Sequence, residues 1–271
     1  MKLLNYVQNR SIKKLTPAVK YIVLINCVVA IITYIFYLVT GIELQYIFSI
    51  YPTYSEHFHF YQLFTFMFVH SSHPAHIIFN VLFLLIFSPF MELKVGFRNF
   101  IISYFLCAWI GFLFINHSYY LNKETVEKRI KLTGINPNTI QLNKKHQVAS
   151  NYFEKLTPQQ QVAVEEYNWV TSKSNGASGA LFGIIIFYIV LNILNYRKAL
   201  FLALGFYLFY NNLTDFLTPS PLINGSCLAH FGGMVGGLLI LGFYFIFKVK
   251  KNSSESRKIE GNSSFGRQKV I

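Results

Sequence analysis

Long apolar segments alternate with polar ones along most of this chain of 271 residues. An apolar segment of about 20 residues is long enough to cross a bilayer as a helix. The first segment follows basic residues, but it is longer than the apolar part of a signal peptide and no small-residue cleavage site follows it. The pattern therefore predicts six membrane spans: Tyr21–Thr40, Pro74–Leu93, Phe97–Asn116, Ser178–Asn195, Ala199–Leu217 and Leu228–Phe247.

Two prolines bear on the second of these spans. Pro74 suits a first helical turn, because its missing N–H has no partner to lose there. Pro89 is predicted to kink or end the helix, and Glu92 and Lys94 mark where the chain leaves the apolar region.

The two long connections between spans differ in character. Gly41–His73 is rich in aromatic residues, too apolar for open water and too interrupted to span, so we expect it in the membrane interface. Leu121–Ser174 is polar, and Thr157 with Gln160 forms a capping-box pattern that predicts a surface helix over Pro158–Trp169. We interpret this second connection as an insertion or lid.

Composition and charge agree with a membrane protein. The chain is 53% hydrophobic and only 13% charged, which is too apolar for an ordinary soluble domain. Most Lys and Arg residues lie in segments that would face one side of the bilayer, so the positive-inside rule places both termini in the cytoplasm. Topology and contact with the anionic headgroups of the lipid bilayer then explain the net charge of +13, and no nucleic-acid partner is predicted.

The chain is accordingly predicted to have three parts. Residues 1–20 form a cytoplasmic N-terminal segment, residues 21–247 form the membrane domain, and residues 248–271 form a disordered cytoplasmic tail rich in Lys, Ser, Asn and Gly. The three cysteines lie in or beside apolar spans, and we interpret them as small buried hydrophobes.

Ser178 stands in a run of small residues, Gly176-Ala177-Ser178-Gly179, at the start of the fourth span. Small residues such as Gly179 and Gly183, four apart, let membrane helices pack closely. A serine at a helix N-terminus can instead be a nucleophile, because free backbone N–H groups there can hold an oxyanion. The motif alone leaves both interpretations open.

The sixth span carries a matching pattern around His230. Gly233 and Gly237 are also four apart, so this helix has a groove like that of the fourth span. Packing of the two grooves would bring His230 within hydrogen-bond reach of Ser178, which is the geometry that a serine nucleophile needs. The alternative is a hydrogen-bonded histidine of the core.

His76 and Asn80 lie one turn apart on a single face of the second span. Both can donate hydrogen bonds from neutral side chains, as a developing oxyanion requires, or they can form a polar clamp between helices worth about 1 kcal/mol. Irregular spacing argues against metal binding by the histidines of the first connection, and neither a metal nor a cofactor is predicted. Those histidines are His57, His59, His70 and His73.

The acidic residues limit the possible chemistry. Asp215 and Glu92 are the only acids in or next to the last five spans, and neither is placed to orient His230. Any serine catalysis would therefore use a Ser–His dyad, a variant of the catalytic triad.

Taken together, these motifs resemble the rhomboid family of intramembrane serine proteases, in its bacterial type. The resemblance covers most of Phe58–Phe247. Four motifs carry it, in the family's order: His70 followed by His76 and Asn80, then Glu92 with Gly96, then Gly176-Ala177-Ser178-Gly179, and last Ala229-His230 with Gly233 and Gly237.

The resemblance implies an all-α polytopic bundle of six transmembrane helices. It implies that Ser178 is the nucleophile, that His230 is the general base, and that Asn80, His76 and the Ser178 N–H form the oxyanion hole. The fourth span would begin inside a water-filled cavity, and the fifth would be a mobile side gate for the substrate.

The chain departs from the family pattern in three places. Tyr61-Gln62 stands where the family often has Trp-Arg, the spacing from His70 to His76 is one residue longer than expected, and Leu121–Ser174 exceeds the usual connection. These departures bear on loop packing and substrate preference, and they leave the dyad intact.

The predicted function is an intramembrane serine endopeptidase that cleaves transmembrane segments of single-pass membrane proteins in the bacterial inner membrane. The alternative is an inactive rhomboid-like protein that binds membrane clients, whose sequence mark would be loss of the serine or the histidine. A transporter or channel is disfavoured, because the chain lacks repeats and intramembrane carboxylates. Neither the substrate nor the oligomeric state follows from the sequence.

Overall fold

The computed structural model describes residues 15–71, 74–140, 150–193, 202–208, 210–211 and 225–265. Within these ranges all regular elements are helices. The β pairing among the described residues is a single isolated bridge between Ile50 and Ser174. The predicted all-α fold is thereby confirmed. In chain order the helices are α1 Pro17–Thr40, α2 Gln45–Phe48, α3 Gln62–Thr65, α4 Pro74–Val95, α5 Phe97–Leu132, the short 3-10 helix Pro137–Thr139, α6 Ser150–Phe153, α7 Pro158–Thr171, α8 Ser178–Asn192 and α9 Gly225–Phe265.

Four helices of the described chain are long and apolar enough to cross a membrane: α1, α4, α5 and the Gly225–Phe247 part of α9. Helix α8 is apolar but shorter, and the predicted fifth span is described only at residues 202–208 and 210–211, where it is helical. Large apolar side chains on the outer surface, such as Leu38 and Val39 of α1, are exposed. A helix surface of this kind suits lipid better than water.

Glu92 fastens the start of α1 to the end of α4. The backbone N–H groups of Ala18 and Val19 donate to its two carboxylate oxygens at 3.0 Å each, and Glu92 itself is buried. A carboxylate is favourable there because the first N–H groups of a helix are unpaired and carry partial positive charge. The two helices therefore run antiparallel, with the start of α1 beside the end of α4.

Helices α5, α8 and α9 pack backbone against backbone at glycines. A Cβ added to Gly183 of α8 would lie 2.6 Å from the carbonyl oxygen of Gly233, and one added to Gly233 would collide with the backbone of Gly179. On α5, a Cβ at Gly111 would lie 2.6 Å from the Ala229 carbonyl oxygen. Glycine is needed at these contacts because no larger residue permits so close an approach.

The aromatic connection between α1 and α4 is organised by Gln62. This side chain is buried, it donates to the carbonyls of Ile47 and His57 at 3.2 and 3.0 Å, and it accepts from the N–H of His59 at 3.1 Å. Gln62 thus satisfies backbone groups of the connection in the position where the family often has arginine.

The insertion builds a small core above the bundle, on the C-terminal extension of α5. Ile130 of α5 and Val164 of α7 are fully buried in it, and Arg129 forms an ion pair with the buried Glu166. The predicted capping box of α7 is present, because Thr157 and Gln160 exchange side chain to backbone hydrogen bonds.

Three helix boundaries differ from the sequence predictions. Helix α5 was expected to end at Asn116 but continues to Leu132, because Val126 and Ile130 are buried against the insertion. Helix α4 was expected over Pro74–Leu93, with a kink or an end at Pro89, and it passes through Pro89 and ends two residues later than expected, at Val95. Beyond residue 247, where a disordered tail was predicted, α9 continues to Phe265, since extending a formed helix needs no new nucleus.

Candidate active site

Ser178 is the first residue of α8 and lies at the end of the bundle where α4 and α9 begin. It is partly buried and lines a cavity of about 20 Å³ together with Asn175, Gly176 and Ala229. That volume is enough for one water molecule. The unpaired N–H groups of the first turn of α8 also lie here, so the position offers both an approachable hydroxyl and backbone donors.

Gly176 shapes the turn that presents Ser178. Its φ is +100°, a backbone conformation that favours glycine, and its N–H donates to the Phe66 carbonyl at 2.8 Å. A Cβ at Gly176 would lie 2.8 Å from both Cε1 and Nε2 of His76. The His76 ring therefore rests directly against the turn that precedes the serine.

Hydrogen bonds to the other ring nitrogen of His76 fix its tautomer. The Ser71 backbone N–H, which can only donate, is bonded to Nδ1 of His76 at 3.3 Å, and the Ser71 hydroxyl lies 3.0 Å from the same atom. With Nδ1 accepting, the proton of the neutral imidazole is on Nε2. This N–H belongs to the edge of the ring that faces the Gly176 turn.

Asn80 is 4% exposed, one helical turn beyond His76. Its Nδ2 donates to the His76 carbonyl at 2.7 Å, and its Oδ1 has no partner among the described residues. An amide nitrogen carries two N–H groups, so one donor of Asn80 remains beyond this intrahelical bond.

His230 stacks on Phe182, with ring centroids 4.1 Å apart and planes 15° from parallel. Phe182 is one turn after Ser178, so the serine and the aromatic support of His230 share one face of α8. Since His76 of α4 rests against Gly176, two residues before Ser178, residues of α4, α8 and α9 surround the start of α8. Phe182 was not predicted from the sequence as a residue of the site, although its position four residues after Ser178 places it on the same helix face.

The predicted packing glycines lie at the same helix contact. Gly179 and Gly183 of α8 face Gly233 and Gly237 of α9, and a Cβ at Gly237 would lie 2.6 Å from Ile186. The close contact therefore lies within the first two turns after Ser178 and His230.

Of the four histidines in the connection before α4, His70 lies next to His76 of the candidate site. The His70 ring packs edge-on against His76 at 5.1 Å, and burial, together with His76, lowers the pKa of His70 to about 4. His59 stacks on Tyr61, and His57 lies at an exposed position near Glu56. His73 lies outside the described residues.

Of the two acids singled out from the sequence, only Glu92 lies among the described residues, and it is far from this site. Glu92 is bonded to the start of α1, sixteen residues or about 24 Å along α4 from His76. Asp215 lies outside the described residues.

Fold and site together define a polytopic helical membrane protein with a serine and a histidine at one helix contact. The family model of the Rhomboid domain matches residues 57–126 and 147–247, which is more than half of the chain. The chain belongs to the rhomboid family and is a multi-pass integral membrane protein, as the sequence motifs predicted. No curated protein and no solved structure matches the chain.

Proposed function

We propose that this protein is an intramembrane serine endopeptidase in which Ser178 and His230 form the catalytic dyad. Its substrates are single-pass membrane proteins, cleaved within or beside their transmembrane segments. The observation that carries the proposal is the stack of His230 on Phe182, one turn from Ser178, at the glycine contact of α8 and α9. The stack holds His230 at the helix contact that also carries Ser178, which supports its role as the base that activates the serine.

In the acylation step, Ser178 Oγ attacks the scissile carbonyl carbon while His230 accepts the hydroxyl proton. The carbonyl oxygen becomes an oxyanion, which the His76 Nε2–H, the remaining Asn80 N–H and the Ser178 backbone N–H stabilise. Collapse of this intermediate breaks the peptide C–N bond, and His230 gives its proton to the leaving amine. The product is an ester between Ser178 and the substrate.

Deacylation then requires water at membrane depth. The cavity beside Ser178 holds the volume of one water, with polar groups of Ser174 and Asn175 in its wall. His230 takes a proton from this water while the water oxygen attacks the ester carbonyl. Collapse of the intermediate breaks the bond to Ser178 Oγ, His230 returns the proton to that oxygen, and the carboxylic acid product leaves.

The direct test is cleavage of a reporter transmembrane substrate by purified protein in detergent or liposomes. Ser178→Ala and His230→Ala are each expected to abolish cleavage. Ser88→Ala is the matched control, because Ser88 is a buried serine at the far end of α4 whose hydroxyl has no partner among the described residues. Unchanged cleavage by Ser178→Ala would refute the dyad. Binding of the reporter by wild-type protein without cleavage would support the inactive, client-binding alternative.

We further propose that both termini face the cytoplasm and that the protein resides in the inner membrane of a bacterium. The distribution of Lys and Arg along the chain supports this orientation. Topology reporters fused after residue 247 and within the insertion test it, since the first is expected on the cytoplasmic side and the second on the opposite side.

A further inference from the structure

A second cavity lies between the insertion and the connection that joins α1 to α4, on the same end of the bundle as Ser178. It measures about 710 Å³, within the size range of ligand sites in proteins. We call it the insertion pocket and define it by the residues that give it its chemistry: Tyr46, Tyr51, Tyr54, Tyr167, Lys123 and Lys173.

The walls of the insertion pocket are fixed to the bundle. The Tyr54 hydroxyl donates to the Val170 carbonyl, and Trp169 of α7 packs edge-on against Tyr119 of α5 with centroids 4.8 Å apart. Tyr119 in turn contacts the start of α9, since a Cβ at Gly225 would lie 3.0 Å from its hydroxyl. The pocket is therefore held in place relative to the helix that carries His230.

Two chain segments line both the insertion pocket and the cavity of Ser178. On one, Tyr51 lines the pocket and Ile50 lines the cavity, and on the other, Lys173 lines the pocket and Ser174 lines the cavity. The Ile50–Ser174 bridge, with N–H to carbonyl distances of 2.9 and 2.8 Å, forms the partition between them. A polypeptide held at Ser178 consequently has the insertion pocket beside it.

The pocket also lies within short reach of the nucleophile. Lys173 and Ser178 are five positions apart, and an extended chain of that length spans at most about 18 Å. A substrate residue in the pocket would accordingly lie within about six positions of the scissile bond.

The side chains of the pocket suit an extended peptide that carries an acidic residue. The Lys173 ammonium lies 3.5 Å from the centre of the Tyr46 ring, and Lys123 lies 4.3 Å from that of Tyr54. Two acids also line the pocket: Glu127 is paired with Lys123 at 3.8 Å, and the exposed Glu56 lies 3.9 Å from His57. The pairing of Lys123 makes Lys173 the better candidate to meet a ligand carboxylate. Burial lowers the pKa of Lys173 to about 8, with Glu43 acting in the opposite direction, so a ligand carboxylate would stabilise its charged form.

We infer that the insertion pocket binds the segment of the substrate chain just outside its transmembrane helix, through an acidic side chain at Lys173 and apolar or aromatic side chains against the tyrosines. This inference rests on the proposed proteolytic function, and it names which part of the substrate the insertion recognises.

Peptide binding to the Ser178→Ala protein tests the pocket without requiring catalysis. The probe is a fluorescein-labelled synthetic peptide with two aspartates and one phenylalanine in a Gly–Ser background, and the matched peptide has asparagine at both aspartates. In neutral detergent we expect the acidic peptide to bind about tenfold more tightly, as for the loss of one charge-assisted hydrogen bond. Fluorescence anisotropy measures both affinities.

Protein variants locate the binding. Lys173→Gln is expected to remove the preference for the acidic peptide, Lys173→Arg to retain it, and Lys128→Gln, an exposed lysine outside the pocket, to leave it unchanged. Tyr167→Ala is expected to weaken the binding of both peptides equally. Tyr167 lies on α7, away from the turn that carries Ser178, so this change leaves that turn intact. Equal binding of the two peptides, or an unchanged preference in Lys173→Gln, would overturn the inference.

Cleavage assays separate this inference from the proteolytic proposal. If the peptide preference is found but no Ser178-dependent cleavage occurs, the proteolytic function fails while the pocket stands. If cleavage depends on Ser178 but the peptide preference is absent, the pocket fails alone. Where both hold, reporter substrates with an acidic flank should be cleaved with a lower KM than substrates with an amide flank.

Discussion

A methyl group at Gly233 should separate the two halves of the dyad. In Gly233→Ala the added Cβ would collide with the Gly179 carbonyl oxygen and lie 2.8 Å from its carbonyl carbon. These are backbone atoms of α8, so no side-chain rotation relieves the contact and the helices must move apart. Since Ser178 directly precedes Gly179, the movement displaces the proposed nucleophile relative to the helix that carries His230.

The size of the effect follows from two opposing terms. Overpacking of a tight contact costs about 1–3 kcal/mol, and replacing glycine by alanine within a helix returns about 0.5–1 kcal/mol. We therefore expect a net loss of about 1–2 kcal/mol in the free energy of unfolding. A displacement of about 1 Å at the reacting groups would lower kcat/KM roughly 100-fold.

Gly242→Ala supplies the matched control on the same helix, because a Cβ added there would have no neighbour within 4 Å among the described residues beyond the adjoining part of α9. It is expected to keep full activity and wild-type stability or slightly more. Stability is measured by denaturation in mixed micelles, and activity by reporter cleavage. If Gly233→Ala matches Gly242→Ala in both assays, the close contact of α8 and α9 does not assemble the site.

Substitutions at three further positions test single contacts. Phe182→Ala should lower kcat/KM by about 100-fold, because His230 would be displaced, whereas Phe182→Tyr keeps the stack and should retain most activity. Equal rates for the two variants would contradict the role of the stack. Ser71→Ala removes the hydroxyl contact to His76 and should reduce kcat/KM about fivefold, for about 1 kcal/mol, at unchanged stability, and a wild-type rate would show that the hydroxyl does not orient the ring. Glu92→Gln weakens the hydrogen bonds from the first N–H groups of α1, so it should lower the free energy of unfolding by about 1–2 kcal/mol while the folded protein cleaves normally. A variant as stable as the wild type would contradict the structural role of this carboxylate.

The membrane helices were predictable because lipid imposes a simple rule on sequence. Apolar length alone located α1, α4 and α8 to within a few residues at their starts. The ends of α5 and α9 were not predictable in this way, because those helices continue into water, where length and hydropathy no longer limit them. The burial of Val126 and Ile130 that supports the extension of α5 depends on α7, which is far along the chain.

The residues of the candidate site could be predicted because a polar side chain within a membrane costs free energy. Polar side chains such as His76, Asn80 and His230 are expensive within a membrane, so their presence on two spans marked them for function. The residues that hold these polar side chains in place could not be predicted from the sequence in the same way. Phe182 is an ordinary apolar residue, and Ser71 stands in a connection whose path depends on the fold.

The insertion pocket was also beyond the sequence analysis. Its walls come from three distant parts of the chain, and its tyrosines and lysines have no common spacing that would predict a cavity. Only the capping box at Thr157 gave a local signal of order in this segment, and that signal was correct for α7.

The central claim is that Ser178 is a nucleophile activated by His230, and covalent labelling tests it most directly. A fluorophosphonate should form one adduct on the folded protein, which peptide mass spectrometry should locate at Ser178, and labelling should be lost in His230→Ala but retained in Ser88→Ala. An adduct at another serine, no adduct under conditions that label an active serine protease, or equal labelling in His230→Ala would contradict the account.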